Sequence, residues 1–283
     1  VRRAGWRRGL AAALAASASL LAACVREQPP SVLQAAMARL AERGDPRREA
    51  DAARPAYGGI GRFLVEDRGT CTGALVSLRV VLTAAHCLVD DAGRRSLPEW
   101  FALDAPEAGG PLVLPVTGAR VAPGFRRDAP RRERARNDWA FLLVDPGGRT
   151  DLPVLLLSRM TPDEEGRTRR SEQRVTVSGY AADRPAVQQA HEDCRAVGLM
   201  ADGLVVHDCV TLPGTSGAPL LVRRAGVDAV VGVVVIGGSV QMRGRAVDFG
   251  IAVSSARFQD EFREALRDAA RRPSDGGPAS HGL

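Results

Sequence analysis

From Tyr57 onward the apolar residues come in short runs punctuated by Gly and Pro: Ile60 to Val65, Gly73 to Leu82, Trp139 to Val144, Arg174 to Gly179, Gly203 to His207 and Ala229 to Ile236. Runs of that length, rich in Val and bounded by turn residues, predict the strands of an all-β sandwich or barrel. Two stretches carry a helical period instead. Leu33, Met37 and Leu40 share one face behind Ser31, a residue type that caps helix N-termini. Phe258, Phe262 and Leu266, with Ala265 and Ala269 beside them, follow the candidate caps Ser254 and Ser255 and predict a C-terminal helix. The pattern divides the chain into a tether over residues 24–55 whose short helix docks on the main domain, one domain over residues 56–270, and a frayed tail over residues 271–283. No repeat or second functional domain is visible, and the length suffices for a sizeable core.

The first residues have another texture. A basic stretch from Arg2 to Arg8 precedes a 14-residue, mostly apolar run from Leu10 to Ala23. This order predicts an export signal over residues 1–23. The run is too short to span a bilayer core of ~30 Å as a helix. It ends in Leu21-Ala22-Ala23-Cys24, which resembles a bacterial lipobox. There the Cys thiol takes a diacylglycerol and becomes the mature N-terminus, so Cys24 is the expected lipidation site and the membrane a partner through its lipid. Ordinary signal cleavage among the neighbouring small residues is the alternative. Either way the chain leaves the cytoplasm, and the lipobox places it at the cell envelope. Of the five cysteines, Cys71, Cys87, Cys194 and Cys209 can then pair in an oxidising compartment, with Cys24 left over.

Charge changes this picture little. The formal net charge is +6, from 39 basic residues, all Arg, against 33 acidic ones. Arg2, Arg3, Arg7 and Arg8 precede Cys24 with no acid among them, leaving 35 against 33 in the remainder. A nucleic-acid binder of this size carries a larger excess, so no nucleic acid is expected as partner. The densest basic loop holds Arg126, Arg127, Arg131, Arg132, Arg134 and Arg136 against Asp128 and Glu133. A solvated loop is expected there, with docking on anionic lipid or envelope polymer as the functional alternative.

Three segments carry candidate chemistry. Val80 to Cys87 is a strand running into His86, which is flanked by small residues; Asn137 to Leu143 puts Asp138 at the mouth of another strand; Leu212 to Pro219 embeds Ser216 in a Gly-rich turn. A Ser hydroxyl is a poor nucleophile until a His within hydrogen-bond reach removes its proton. A buried Asp fixes the His tautomer and stabilises the imidazolium. Glycines let the backbone turn sharply, so that amide N–H groups point at a developing oxyanion. Each segment alone has a plainer reading, as a structural His, a turn Asp or a loop. Their joint occurrence, in the order His, Asp, Ser, is specific.

These segments resemble the trypsin/chymotrypsin-like serine endopeptidase family. Thr83-Ala84-Ala85-His86-Cys87 matches the family's His motif residue for residue. Asn137-Asp138 through Leu142 resembles its Asp motif, with Trp139 where Ile is commoner. Gly214-Thr215-Ser216-Gly217-Ala218-Pro219 resembles Gly-Asp-Ser-Gly-Gly-Pro, differing at Thr215 and Ala218. The bacterial branch that includes the glutamyl endopeptidases is the nearer match. The resemblance implies an all-β fold of two antiparallel Greek-key six-stranded β-barrels, about residues 56–150 and 170–255, closed by the C-terminal helix. It also implies catalysis by His86, Asp138 and Ser216, an oxyanion hole from the backbone N–H groups of Gly214 and Ser216, and a polypeptide substrate. No cofactor or metal is expected, and a monomer is.

Within that frame Cys71 and Cys87 bracket the strands that deliver His86, and a bridge between them stabilises by ~3 kcal/mol in the chain-entropy model. Cys194 and Cys209 lie symmetrically about the turn signal Ala201-Asp202-Gly203, and a register with Leu199 facing Leu204 sets them opposite one another. A metal site at His191 and His207 is the rival, but that register keeps the two rings apart. The substrate pocket falls on Val210, Thr211, Gly237 and Gly238. Val210, at its base, has no carboxylate for an Arg or Lys, and the wall from Val230 to Gly238 lacks the His of glutamyl endopeptidases. Small or medium apolar side chains are therefore expected before the scissile bond. Thr215 cannot pair a buried ammonium, so activation by an inserted N-terminus is not expected, and trimming the chain to about Tyr57 is expected to leave turnover unchanged. Two other functions compete: an inactive binding module on the same fold, disfavoured because all three positions are occupied, and a gated envelope protease, for whose extra domain the last 13 or so residues are too few.

Overall fold

The computed structural model of the protein describes residues 31–51, 54–66, 69–104, 110–159, 173–242 and 244–272. The expected export signal, Cys24 and nearly all of the tail lie outside them. In chain order come α1 (Val32–Arg43), β1 (Arg48–Glu49) and α2 (Pro55–Gly58). The first barrel follows: β2 (Ile60–Val65), β3 (Gly69–Ser77), β4 (Val80–Thr83), β5 (Trp100–Leu103), β6 (Leu112–Val121), the short helix α3 (Arg131–Arg136) and β7 (Ala140–Val144). Next are β8 (Leu156–Leu157), β9 (Gln173–Tyr180), β10 (Gln188–Leu199), β11 (Leu204–His207), β12 (Pro219–Arg224), β13 (Val227–Met242), β14 (Arg245–Ser254) and α4 (Gln259–Arg271).

Strands β2 to β7 close into a six-stranded barrel in the order β2-β3-β4-β7-β6-β5. Strands β9 to β14 repeat that order, β9-β10-β11-β14-β13-β12, and the β9–β12 pairing closes the ring. In both, three strands meander, the chain crosses back beside the first, and three more meander: a Greek key, as the family resemblance implied. β1 adds to β10 and β8 adds parallel to β13 at the margins.

The apolar runs are continuous where both faces of a strand are covered. β7 is buried at all five positions. One face lies inside the barrel and the other under the C-terminal helix, where Phe141 meets Phe258 and Phe262 at ring centroids 5.9 and 5.6 Å apart. α4 therefore straps the end of the chain back onto the first barrel. Its buried stripe is Phe258, Ala265 and Ala269 with Phe262 partly covered; Leu266, expected on that stripe, is 38% exposed. Successive helical residues are offset by about 100°, so Leu266 falls beside the stripe that Ala265 occupies. Ser254 accepts the Ala256 N–H and caps a 3₁₀ turn over Ser255–Arg257, while α4 starts without a side-chain cap.

α1 has the full reciprocal cap. Ser31 Oγ accepts the Gln34 N–H at 3.2 Å, and Gln34 Oε1 accepts the Ser31 N–H at 2.8 Å. Its apolar face packs on the second barrel, with Ala36 and Leu40 buried, Leu33 half-buried and Met37 on the rim. The β10–β11 hairpin departs from its expected register at the turn: Leu199 pairs with Val205, not Leu204. A bulge between Ala196 and Gly198 absorbs the extra residue and restores Ala196 opposite His207. The Cys194–Cys209 disulfide forms beyond it, with Cα atoms 5.1 Å apart, and Cys71–Cys87 forms with Cα atoms 6.3 Å apart.

Candidate active site

Strand register brings the first two candidate residues together. β4 and β7 run antiparallel with Thr83 opposite Ala140. His86, three residues past Thr83, and Asp138, two before Ala140, therefore emerge at the same end of the barrel. One Asp138 carboxylate oxygen accepts the His86 backbone N–H at 2.8 Å, and the other lies 2.8 Å from His86 Nδ1. An ionised carboxylate only accepts, so Nδ1 carries the proton and Nε2 of the neutral ring keeps its lone pair. Trp139 is buried against Phe141 and Phe258, which pins the residue next to Asp138.

The basic loop is less free than its charge suggests. Arg127 Nε donates to the Val89 carbonyl at 3.0 Å, just past His86, and Arg134 donates to the Arg127 carbonyl at 2.9 Å. Arg132 pairs with Asp202 at 2.6 Å across to the second barrel. Arg126 and Asp128 remain exposed, as expected of a solvated loop. Arg127 and Arg134 thus brace the loop against the segment just past His86.

Ser216 sits in the turn before β12, between Gly214 at φ +96° and Gly217 at φ +85°. A Cβ at Gly217 would lie 2.1 Å from the Thr72 carbonyl oxygen, so only Gly fits this approach of the two barrels. The Ser216 carbonyl accepts the Thr72 N–H at 2.8 Å, and Cys87 Sγ lies 3.9 Å from it. The Cys71–Cys87 bridge joins the neighbour of Thr72 to the neighbour of His86, and so ties the Ser216 turn to the strand ends beside it. Thr72 itself is the hub. Its hydroxyl donates to the Gly214 carbonyl at 2.9 Å and accepts the Tyr180 N–H at 3.0 Å. Nothing in the sequence marked Thr72, because its importance lies in contacts more than a hundred residues away.

The backbone of the Ser216 turn is closed locally. Thr215 donates both its hydroxyl, at 2.6 Å, and its N–H, at 3.1 Å, to the Leu212 carbonyl. The Pro213 carbonyl accepts the Ala182 N–H at 2.7 Å. In a trans peptide the C=O and the following N–H point in opposite directions, so the Gly214 N–H faces away from Ala182. A Cβ on Gly214 would lie 2.5 Å from the Tyr180 carbonyl oxygen.

An open cleft of about 910 Å³ holds Ser216 together with Val210, Thr211, Gly237 and Gly238, the expected pocket residues, and with Ala36 and Leu40 of α1. Gly237 abuts Thr211 so closely that an added Cβ would lie 2.2 Å from Thr211 Oγ1, a buried hydroxyl with no partner among the described residues. The two are packed in contact at the wall of the cleft, and Val210 brings no acid to it. The two histidines weighed as metal ligands do separate jobs. His191 Nδ1 accepts the Val210 N–H at 2.9 Å, whereas the His207 ring lies against Gly250. Among the described residues no group of three or more His, Cys, Asp or Glu side chains could hold a metal ion. The arm before the first barrel went unnoticed as part of the site, although its Ser-x-x-Gln capping signature at Ser31 and Gln34 was readable.

Two Greek-key barrels, with a His–Asp pair at the end of one and a Gly-flanked Ser in a turn of the other, are the fold of a trypsin-like peptidase. A family model described as a trypsin-like peptidase domain matches residues 71–233, and the chain belongs to that family. A solved glutamyl endopeptidase, in complex with MPD, aligns with a TM-score of 0.57 at 19% identity over 81% of this chain and 99% of its own. That likeness is one of fold. No curated protein sequence matches the chain.

Proposed function

We propose that the protein is an exported serine endopeptidase that cleaves polypeptides through an acyl-enzyme on Ser216. The observation that carries this reading is the double contact of Asp138 with His86, to the backbone N–H and to Nδ1, beside a Gly-framed Ser216. In this mechanism His86 Nε2 takes the proton of Ser216 Oγ as the oxygen attacks the scissile carbonyl carbon. Asp138 keeps the ring in the correct tautomer and stabilises the imidazolium that results. Charge on the carbonyl oxygen is received by the N–H groups of Gly214 and Ser216. The imidazolium then protonates the leaving amine, and the same His86 activates a water that hydrolyses the ester. One chain carries every group required, so a monomer suffices.

Specificity follows the pocket chemistry. Val210 at the base and the absence of a His on the wall from Val230 to Gly238 favour small or medium apolar side chains before the scissile bond. Two disulfides fit an oxidising compartment outside the cytoplasm. No described helix is long and apolar enough to cross a membrane, and attachment through a lipid on Cys24 is part of the proposal. The deciding experiment is labelling with a fluorophosphonate, read by mass at Ser216, alongside peptide hydrolysis by wild type and Ser216→Ala. Labelling and turnover are expected in the wild type only, with a fall of ~10⁶ in kcat in the variant. Undiminished hydrolysis by a purified, folded Ser216→Ala protein refutes the assignment, and an unlabelled wild type points instead to a binding module.

A further inference from the structure

We infer that the N-terminal arm, residues 31–51, is a working part of the peptidase and that Arg47 is a positioning residue for the oxyanion turn. The inference rests on the peptidase reading above and adds a partner for that turn.

Arg47 is the buried centre of the arm, its side chain only 3% exposed. Its Nη1 and Nη2 donate to the two carboxylate oxygens of Asp183, at 3.1 and 2.8 Å, a forked pair. Nε and Nη2 also donate to Asp45, at 3.0 and 2.7 Å. Burial alone would raise the Asp45 carboxyl, but the hydrogen bonds and charge of Arg47 outweigh it and hold that carboxyl below its ordinary range. The Asp183 side chain is 7% exposed, and its burial is offset chiefly by the buried fork of Arg47, with the more exposed Arg184 at 3.8 Å.

The loop that Arg47 grips is the seat of the oxyanion turn. Ala182, next to Asp183, donates its N–H to the Pro213 carbonyl and so sets the direction of the Gly214 N–H. Ala181, one residue earlier, is buried with Ala36 and Leu40 of α1 and with Val210 and Leu212, which lead into Ser216. The arm therefore holds this loop at two points, by an apolar face and by a buried ion pair. β1 adds a third hold, pairing Arg48 with Ala190 and Glu49 with Gln189, while Arg39 of α1 reaches Asp248 at 3.4 Å. In this chain the arm supplies what the uncharged Thr215 cannot, a charged anchor that fixes the oxyanion turn from outside. On this inference, trimming the chain to about Tyr57 lowers turnover, where the sequence alone led us to expect no change.

The test uses the full chain carrying Arg47→Ala, Arg47→Lys or Asp183→Asn, with peptide kinetics and the rate of fluorophosphonate labelling as readouts. Donors that act only on the transition state change kcat and kcat/KM together. A misplaced donor costs about 10- to 100-fold, so Arg47→Ala is expected to lower kcat by that factor with KM altered less than about threefold. Added guanidinium should restore a large part of the loss, and Arg47→Lys should retain more activity than Arg47→Ala because it keeps the charge without the fork. Should Arg47→Ala fail to fold, Asp183→Asn, which keeps the shape of the acceptor, carries the same expectation. Unchanged kcat in the folded variants, or a rise in KM alone, overturns the inference and makes the arm a mere pocket wall. An inert wild type removes the peptidase reading and this inference with it, whereas an active wild type with unaltered variants removes the inference alone.

Discussion

His207 makes acid stability a sharp test of how this core is built. The residue is fully buried at the end of β11, and neither ring nitrogen has a hydrogen-bond partner among the described residues. Its cross-strand partner is Gly250, and a Cβ there would lie 2.1 Å from the ring, so the imidazole fills the space that a side chain would take. Burial pushes its pKa down from the ordinary 6.5 to about 4; Asp208 opposes that shift and His191 adds to it. Between these two values the unfolded chain binds a proton that the folded chain refuses. Stability from this site is therefore fully present above pH 6.5 and is lost as pH falls toward 4. Worked through linkage, the loss is about 3 kcal/mol by pH 4. The perturbation is His207→Leu, which cannot protonate and keeps most of the packed volume; at pH 7 it should cost less than about 1 kcal/mol. Urea unfolding from pH 7.5 down to 4, disulfides intact, is the assay. Carboxylates that titrate in the same window affect both proteins alike, so the difference isolates His207. The wild type should lose about 3 kcal/mol more than the variant across that range, and parallel pH profiles would falsify the account.

Two further outcomes are expected. A peptide library cleaved by the wild type should show small or medium apolar residues before the scissile bond, because Val210 offers no charge and the wall from Val230 to Gly238 carries no His; a profile dominated by Arg, Lys or Glu refutes that pocket. When the whole chain is expressed in a bacterial host, the mature N-terminal peptide should begin at Cys24 and carry a diacylglyceryl mass, which Cys24→Ser abolishes; an unmodified Cys24, or cleavage elsewhere, removes the anchor.

Much of this protein was legible in one dimension because its signals are local. Short Val-rich runs between turn residues specify strands by their period alone, and His86, Asp138 and Ser216 each lie in a distinctive stretch of neighbours. The helix at the end of the chain announced its apolar stripe, though Leu266 was placed on it wrongly, since a one-residue phase error is invisible until the stripe meets a surface. The hairpin turn slipped for a similar reason: symmetry between Cys194 and Cys209 fixes where the strands must meet, while the bulge that reconciles this with the turn depends on packing along β10. What tertiary structure alone decided is the set of contacts between distant segments. Thr72 joins Tyr180 and Gly214, Arg47 grips Asp183, and α1 lines the cleft beside Ser216. None has a sequence signature, because an ordinary Thr or Arg acquires its role from a partner whose nearness is set by barrel closure. The candidate residues were written in the chain; the scaffold that holds them exists only once both barrels and the arm have closed together.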